Sequence, residues 1–486
     1  MSPPTWDPVL VRIKDYVYKN HVRHSKEALG VARLALSDAL CCAVESISKS
    51  AECRSLLGPL VPGTIVPSGV RIPGTGHEVD PVKGAFDLGT AIRFLDHNDV
   101  LGGAEWGHPA DNLGALLAVS DYLCRYQESS AAGAPITIGT LLEVLVRVYE
   151  VQGIMLIRNA FNILGLDHVI LVKLASAVGV SWLMGLNEDQ ALAVMSHVFM
   201  DNVPLRIYRQ GSSTIPRKGW AAGDACSRAV YLNLLVASGQ PGVSAVLSTP
   251  RWGFYDTVFG KQDFELPVAP GEWAMRNLFF KLMAVEGHSI SAVEACLQHH
   301  RRLAASHGPE VYQRIRKVHV RTSRAANMLI NKEGPLRNPA DRDHCMQYVL
   351  AVTLIKGSAP VAEDFFDDSF FQRTESTDRL RAKITVEAVE DFTRRYEDLN
   401  IKSLPCAVSI EMDDGAINDI LVEYPVGHPR NMGTIPSLKE KFWKNMRLMY
   451  STETIQRIEE MVHHQPHTSV SELMETMFHP TATAKL

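Results

Sequence analysis

The segment 95–112, LDHNDVLGGAEWGHPADN, gathers Asp96, His97, Asp99, Glu105, His108 and Asp111 into one short stretch interrupted by Gly102, Gly103 and Gly107. Paired glycines and a His-Pro step read as a loop rather than a helix interior. Loops on a rigid scaffold are where reacting groups commonly sit. Elimination beside a carboxylate needs a base at the acidic C–H and an acid at the departing hydroxyl, and Asp96 and His108 are suited to that work. Taken alone, the same residues also describe a solvated loop whose Asp side chains cap turns, and pattern by itself favours that plainer reading.

Four further segments carry chemistry-bearing residues. His168 follows Gly165 and Asp167 and stands directly before the apolar run VILVKLASAVGVSWLMGL. An imidazole at a helix N-terminus is kept neutral by the dipole and can act as base or donor, although a capping residue is the commoner case there. LRIYRQGSSTIPRKGWAAGDA places Arg206, Arg209, Arg217 and Lys218 in a Gly- and Ser-rich connector before a helix. Arginine forks and a helix N-terminus together bind carboxylates; an ordinary basic surface loop would look the same. FFKLMAVEGHSISAVEA supplies Lys281 and His288, and GPLRNPADRDHCMQYVLA supplies Arg337, Asp341, Arg342, Asp343, His344 and Tyr348 ahead of an apolar helix. Each segment is weak evidence alone, but no nucleophile elbow, HExxH zinc motif, P-loop or dinucleotide fingerprint competes with them.

The elements that must position these residues are mostly helical. Val9, Leu10, Ile13, Tyr16 and Val17 recur on one helical face, and the run from Gly30 is apolar nearly all round, as in a buried helix. Asp111 is placed to N-cap the next helix, and Asn187 with Gln190 forms a capping-box pair. The pattern changes near Asn277. Strands are expected from Lys317, Lys383, Pro405 and Ile417, the last two flanking the hairpin signal Asp413-Asp414-Gly415. Helical periodicity then returns, opened by a second capping-box pair, Ser437 and Glu440. The expected fold is mostly α with an α+β lid: a large all-α domain made of N- and C-terminal parts (1–275 and 434–486) with an inserted smaller α+β domain (276–433).

Bulk composition narrows the classes. The 486 residues are 46% hydrophobic and 21% charged, enough for a large buried core, with a net charge of −5 that argues against nucleic acid. No run of 18 apolar residues appears, so no membrane span is expected. Eight scattered cysteines without a CxxC argue against zinc, iron–sulfur or disulfide frameworks. The start of the chain reads as neither signal nor transit peptide. Its last three residues, Ala484-Lys485-Leu486, are close to a peroxisomal address, so cytoplasm or peroxisome is the expected location.

The five segments in this order resemble the MmgE/PrpD family. LLGPLVPGTIVPSGVRIPGT, AEWGHPADNLG, GLDHV, RKGWAAGDA, WGFYD and NPADRDHCMQY carry the resemblance, which runs from about Val11 into the final helices. It implies a metal- and cofactor-free lyase acting on a citrate-like tricarboxylate, in a homodimer. It implies Asp96, His108, His168 and Tyr348 as catalytic residues, and Lys218 and Lys281 as holders of substrate carboxylates. Arg206, Arg209, His288 and His344 join them as substrate-binding residues.

The sequence departs from the family's dehydratase pattern at two places. Val100-Leu101-Gly102-Gly103 stands where Thr-Trp usually follows LDxND, and KLMAVEGH stands where K-x-SFPAEFH is usual. Val100 and Leu101 are therefore the expected specificity residues, with room for an alkyl chain longer than methyl. The expectation is dehydration of a 2-alkylcitrate to the 2-alkylaconitate, as a route to an alkyl maleic anhydride or an itaconate-like metabolite would need. A cis-aconitate-type decarboxylase and an inactive ligand-binding relative are the alternatives.

Overall fold

Leu10, Ile13, Tyr16 and Val17 are buried along one face of the helix Pro8–Lys19, as their spacing requires. The computed structural model describes residues 5–20, 22–130, 134–201, 203–209 and 214–480. Ala484-Lys485-Leu486, and with it the peroxisomal reading, lies outside the described residues. The molecule is mostly helical with a small mixed sheet. Among the described residues, no helix is long and apolar enough to cross a membrane.

The chain falls into two compact units. The first holds the described residues up to Arg206, Gly219–Phe280 and those from Leu438 onward. Its core is built from long helices whose caps are local. Ser25 accepts from Ala28 N–H to open Lys26–Lys49, Asp80 caps Pro81–Arg93, and Thr137 caps Ile138–Leu156. Val169–Leu183 is buried on nearly every side. Close approach of Pro81–Arg93 to Leu113–Ser130 depends on two glycines. A Cβ on Gly114 would stand 2.6 Å from the Gly89 backbone.

The second unit holds the described residues of Ile207–Lys218 and Lys281–Ser437. Its four strands are β1 (Ile315–Thr322), β2 (Ile384–Ala388), β3 (Cys406–Met412) and β4 (Ile417–Val422), ordered β2-β1-β3-β4. β1 pairs parallel with β2 and antiparallel with β3, and β3–β4 is the hairpin turning at Asp413-Asp414-Gly415. The helix Ile290–His307 covers this sheet, with His299 Nε2 donating to Val408 O at 2.8 Å.

Three sequence expectations are corrected. The N-terminal part is not purely helical, because Val70–Arg71 pairs with Glu78–Val79 and Leu101–Gly102 with Trp106–Gly107. The helix expected to start at Ser437 starts at Thr434, with Pro436 in its first turn, where a missing N–H costs nothing. Asp111 is not a helix cap. It lies inside the 3-10 turn Pro109–Asn112, and its carboxylate accepts from Asn98 Nδ2 at 2.9 Å.

Candidate active site

In the first unit, the helix Pro81–Arg93 delivers the chain to Asp96, which adopts φ +53°. That region is unfavourable for most side chains but tolerated by Asp. The Asp96 carboxylate pairs with Arg93, and its amide donates to Arg93 O at 3.0 Å. Beyond Asp96 the chain forms a tight hairpin, Leu101–Gly102 against Trp106–Gly107, rather than an open loop. Val100 exchanges two backbone hydrogen bonds with Phe279, at 2.8 and 3.0 Å. Ala104 N–H and Glu105 N–H donate to Ile157 O and Leu156 O, both at 3.1 Å. A Cβ on Gly103 would stand 2.3 Å from Leu156 O, which explains why a glycine occupies this position.

The hairpin returns the chain to His108. Its Nδ1 lies 2.8 Å from Asp99 O. A carbonyl only accepts, so Nδ1 carries the proton and the neutral ring keeps Nε2 as its basic nitrogen. That Nε2 is 3.6 Å from Asp96 Oδ1. Asp99 is itself fixed, accepting from Ala110 N–H at 2.9 Å and Tyr149 OH at 2.7 Å, while burial pushes its carboxyl well above the usual range. The His168 ring centre is 6.1 Å from that of His108, and its Nε2 is 3.8 Å from Asp167 Oδ1. Asp167, not His168, caps the following helix by accepting from Val169 N–H. Asp96, His108 and His168 are thus brought together as two imidazoles, each with its own carboxylate.

Glu105 joins this cluster and had no role in the sequence reading. It is buried, accepts from Asn162 N–H at 2.7 Å, and lies 3.5 Å from Arg206 Nη1. Burial pushes its carboxyl up to about 7, against the pull of Arg206 and the Asn162 amide, while Asp167 adds to the rise. Arg206 is also buried, and its Nε and Nη1 make no hydrogen bond among the described residues. A dry guanidinium short of acceptors is suited to a carboxylate.

In the second unit, Lys218 Nζ lies 2.9 and 3.0 Å from the two Asp343 oxygens and 2.9 Å from His344 Nδ1. Asp343 Oδ1 is also 2.5 Å from His344 Nδ1. Glu286 N–H donates to Asp343 O, which ties the segment carrying Lys281 and His288 to this group. His288 Nδ1 donates to Glu286 Oε1 at 2.9 Å. Burial would raise Glu286, but the charges of His288, His344 and Lys281 overcome it and hold the carboxyl at about 2. Lys218, Lys281, His288 and His344 therefore gather around two carboxylates, Asp343 and Glu286, neither of which the sequence reading had assigned. Tyr348 packs against Phe365 with ring centres 6.2 Å apart, and burial pushes its phenol up to about 12. Arg209 lies over the Tyr208 ring at 5.1 Å.

Two family models account for most of the chain: the MmgE/PrpD N-terminal domain matches residues 11–267 and the MmgE/PrpD C-terminal domain residues 283–466. The chain belongs to the MmgE/PrpD family. It is 49% identical to an alkylcitrate dehydratase of a fungal species over 94% of this chain and 90% of that one. It is 48% identical to a 2-methylcitrate dehydratase-like protein of Aspergillus oryzae, over 94% and 92%. It is 41% identical to the 2-methylcitrate dehydratase of Escherichia coli, over 94% of each chain.

Within this MmgE/PrpD chain, Val100 and Leu101 are both buried. Leu101 reaches toward Gly153, where a Cβ would stand 2.7 Å from Leu101 Cδ2. Among the described residues, one group has metal-ligand spacing: Asp38, Cys41 and Cys42 bring ligand atoms within 4.8 Å of one another. Lys441 Nζ, 2.5 Å from Asp38 Oδ1, already balances that carboxylate. Burial also pushes the Cys42 thiol well up, so this group is a poor metal site.

Proposed function

We propose that this protein is a hydro-lyase that takes water from a 2-alkylcitrate and leaves the 2-alkylaconitate. A C–H bond alpha to a carboxylate and the C–O bond of the tertiary hydroxyl break, a C=C bond forms, and proton and hydroxide leave as water. Relatives named alkylcitrate dehydratase and 2-methylcitrate dehydratase, 41–49% identical, support the reaction type. The observation that carries it is the His108–His168 pair, with ring centres 6.1 Å apart and separate carboxylate partners. Two such groups can divide the roles of base and acid. His108 is the better-prepared base. Asp99 O fixes its tautomer, and Asp96 stabilises the cation formed when Nε2 takes the proton. His168, beside Asp167, then protonates the departing hydroxyl. Arg206, Lys218 and Lys281 hold carboxylates, with His288 and His344 assisting. Arg209 and Tyr348 are assigned by resemblance alone.

The finer architecture we read is one helical domain built from both ends of the chain with an α+β domain inserted, and the working form is a homodimer. Light scattering giving the mass of a single chain under assay conditions would overturn the dimer. The reaction is tested by mass spectrometry of products from citrates carrying 2-alkyl chains from methyl to octyl. Loss of one water from at least one of them is expected. No turnover of any, or itaconate from cis-aconitate, would overturn the proposal. Val100 and Leu101 in place of the larger ring favour the longer chains. Each added buried CH₂ contributes about 0.8 kcal/mol, or roughly fourfold in kcat/KM. Methylcitrate outpacing the hexyl analogue would refute the enlarged pocket.

A further inference from the structure

The helix Thr434–Met446 carries Lys441, a buried lysine far in sequence from the residues it touches. Its Nζ lies 2.5 Å from Asp38 Oδ1 and donates to His97 O at 2.7 Å. Asp38 lies on the helix Lys26–Lys49, and the nearby Asp99 backbone amide also favours its charged form. The pair therefore grips the chain just before Asn98, through the hydrogen bond from the lysine to the His97 carbonyl. That carbonyl lies between the two groups His108 depends on. Asp99 O fixes the His108 tautomer, and Asp96, one residue before His97, faces its Nε2. Asp96 also sits at φ +53°, a conformation that persists only when its surroundings hold it. A second layer reinforces the same loop. Glu45 accepts from His97 Nδ1 at 2.5 Å and from Asn445 Nδ2 at 3.0 Å, so Thr434–Met446 reaches this loop twice.

We propose that the buried Lys441–Asp38 pair is the positioning device of the proton-transfer site, holding Asp96 and the Asp99 carbonyl in register with His108. Neither residue touches substrate in this proposal; Asp38 holds the lysine, and the lysine acts through the His97 carbonyl. A buried ion pair is weak evidence of stabilisation, because apolar residues of similar volume often serve as well. What apolar residues cannot do is donate to His97 O.

This inference rests on the dehydratase reading, and its test separates the two. Wild-type enzyme must first turn over a 2-alkylcitrate; if it turns over none, the reading fails and not the pair. The informative variant is then Lys441→Met with Asp38→Leu, which removes both charges together. It is expected to fold with a thermal midpoint near wild type. Its kcat per folded enzyme should drop at least tenfold with KM within threefold. The isotope effect for substrate deuterated at the abstracted position should rise, because proton transfer becomes the slow step. Loss of folded enzyme alone would scale the rate without moving either KM or the isotope effect. Lys441→Met with Asp38→Asn, which also removes both charges and the donor to His97 O while keeping a side chain of aspartate's size, serves if the first double variant does not fold; the same signature is expected. A kcat within threefold of wild type in the folded variant, or an unchanged isotope effect, would overturn the proposal.

Discussion

Replacing Glu105 with Gln tests the electrostatics of the first-unit cluster directly. Glu105 is 1% exposed, and its carboxyl is pushed up to about 7 from an ordinary value of 4.5, burial being the largest cause. A carboxyl whose folded pKa lies above its unfolded value favours the folded state while protonated. That contribution is complete below about pH 4.5 and is lost as the pH rises through about 7. Between those values the loss is about 1.4 kcal/mol per pH unit, so this group costs the wild type about 3 kcal/mol between pH 4.5 and pH 8. Glutamine keeps an oxygen for the Asn162 N–H and does not titrate. The stability difference between variant and wild type should therefore move by about 3 kcal/mol in favour of the variant across that range, whatever its value at pH 4.5. Denaturation of both proteins at a series of pH values measures it, and titrations common to both cancel. A flat difference would refute the raised carboxyl. Catalysis supplies a second reading. As Glu105 ionises between pH 6 and 8 it neutralises Arg206, 3.5 Å away, and the wild-type KM for a tricarboxylate should climb. The variant should lose that climb. If the stability shift appears and KM stays flat in both proteins, Arg206 is not a carboxylate holder.

His108→Asn and His168→Asn should each lower kcat by about 10²–10⁴ with native circular dichroism; a folded variant within tenfold of wild type removes that histidine from proton transfer. Gly103→Ala would place a Cβ 2.3 Å from Leu156 O, so the hairpin must shift, at about 1–3 kcal/mol of stability and a fall in kcat. A wild-type midpoint and rate in that variant would show the close approach to be dispensable. Lys218→Met leaves Asp343 with His344 as a remaining partner and should cost about 1.5–3 kcal/mol while raising KM. Adding Asp343→Asn should restore the thermal midpoint and not KM; recovery of KM as well would make the lysine structural.

Local chemistry was legible wherever one stretch of chain both makes and satisfies the feature. The Asn187/Gln190 capping box is present, and so are the four strands and the hairpin turn at Asp413-Asp414-Gly415. Signals that depend on distant chain were not legible. Leu101–Gly102 pairs with Trp106–Gly107 over two residues a side, too short for any alternation to show, and it is stabilised by Phe279 and Leu156 from elsewhere in the sequence. Ser437 and Glu440 have the spacing of a capping box, yet that spacing recurs inside helices, and Pro436 is tolerated because it lies in the first turn.

The site divides along the same line. His108, His168, Lys218 and Lys281 stand out by residue type and by order along the chain. Their partners do not, because the sequence contains 54 acidic residues and type alone cannot rank them. What distinguishes Glu105, Glu286 and Asp343 is burial against a particular imidazole, guanidinium or ammonium, and what distinguishes Asp99 is burial against the Tyr149 hydroxyl and the Ala110 amide; both are properties of the fold. Asp38 and Lys441 are the extreme case, joined across 403 positions. The cost of desolvating such groups makes them informative once found. A carboxylate that remains buried must be matched by a partner or by a proton, and in this protein each answer specifies a role. Asp38 is matched by a lysine, and that lysine holds the His97 carbonyl. Glu105, only partly matched by Arg206, leaves that guanidinium with capacity for a second carboxylate.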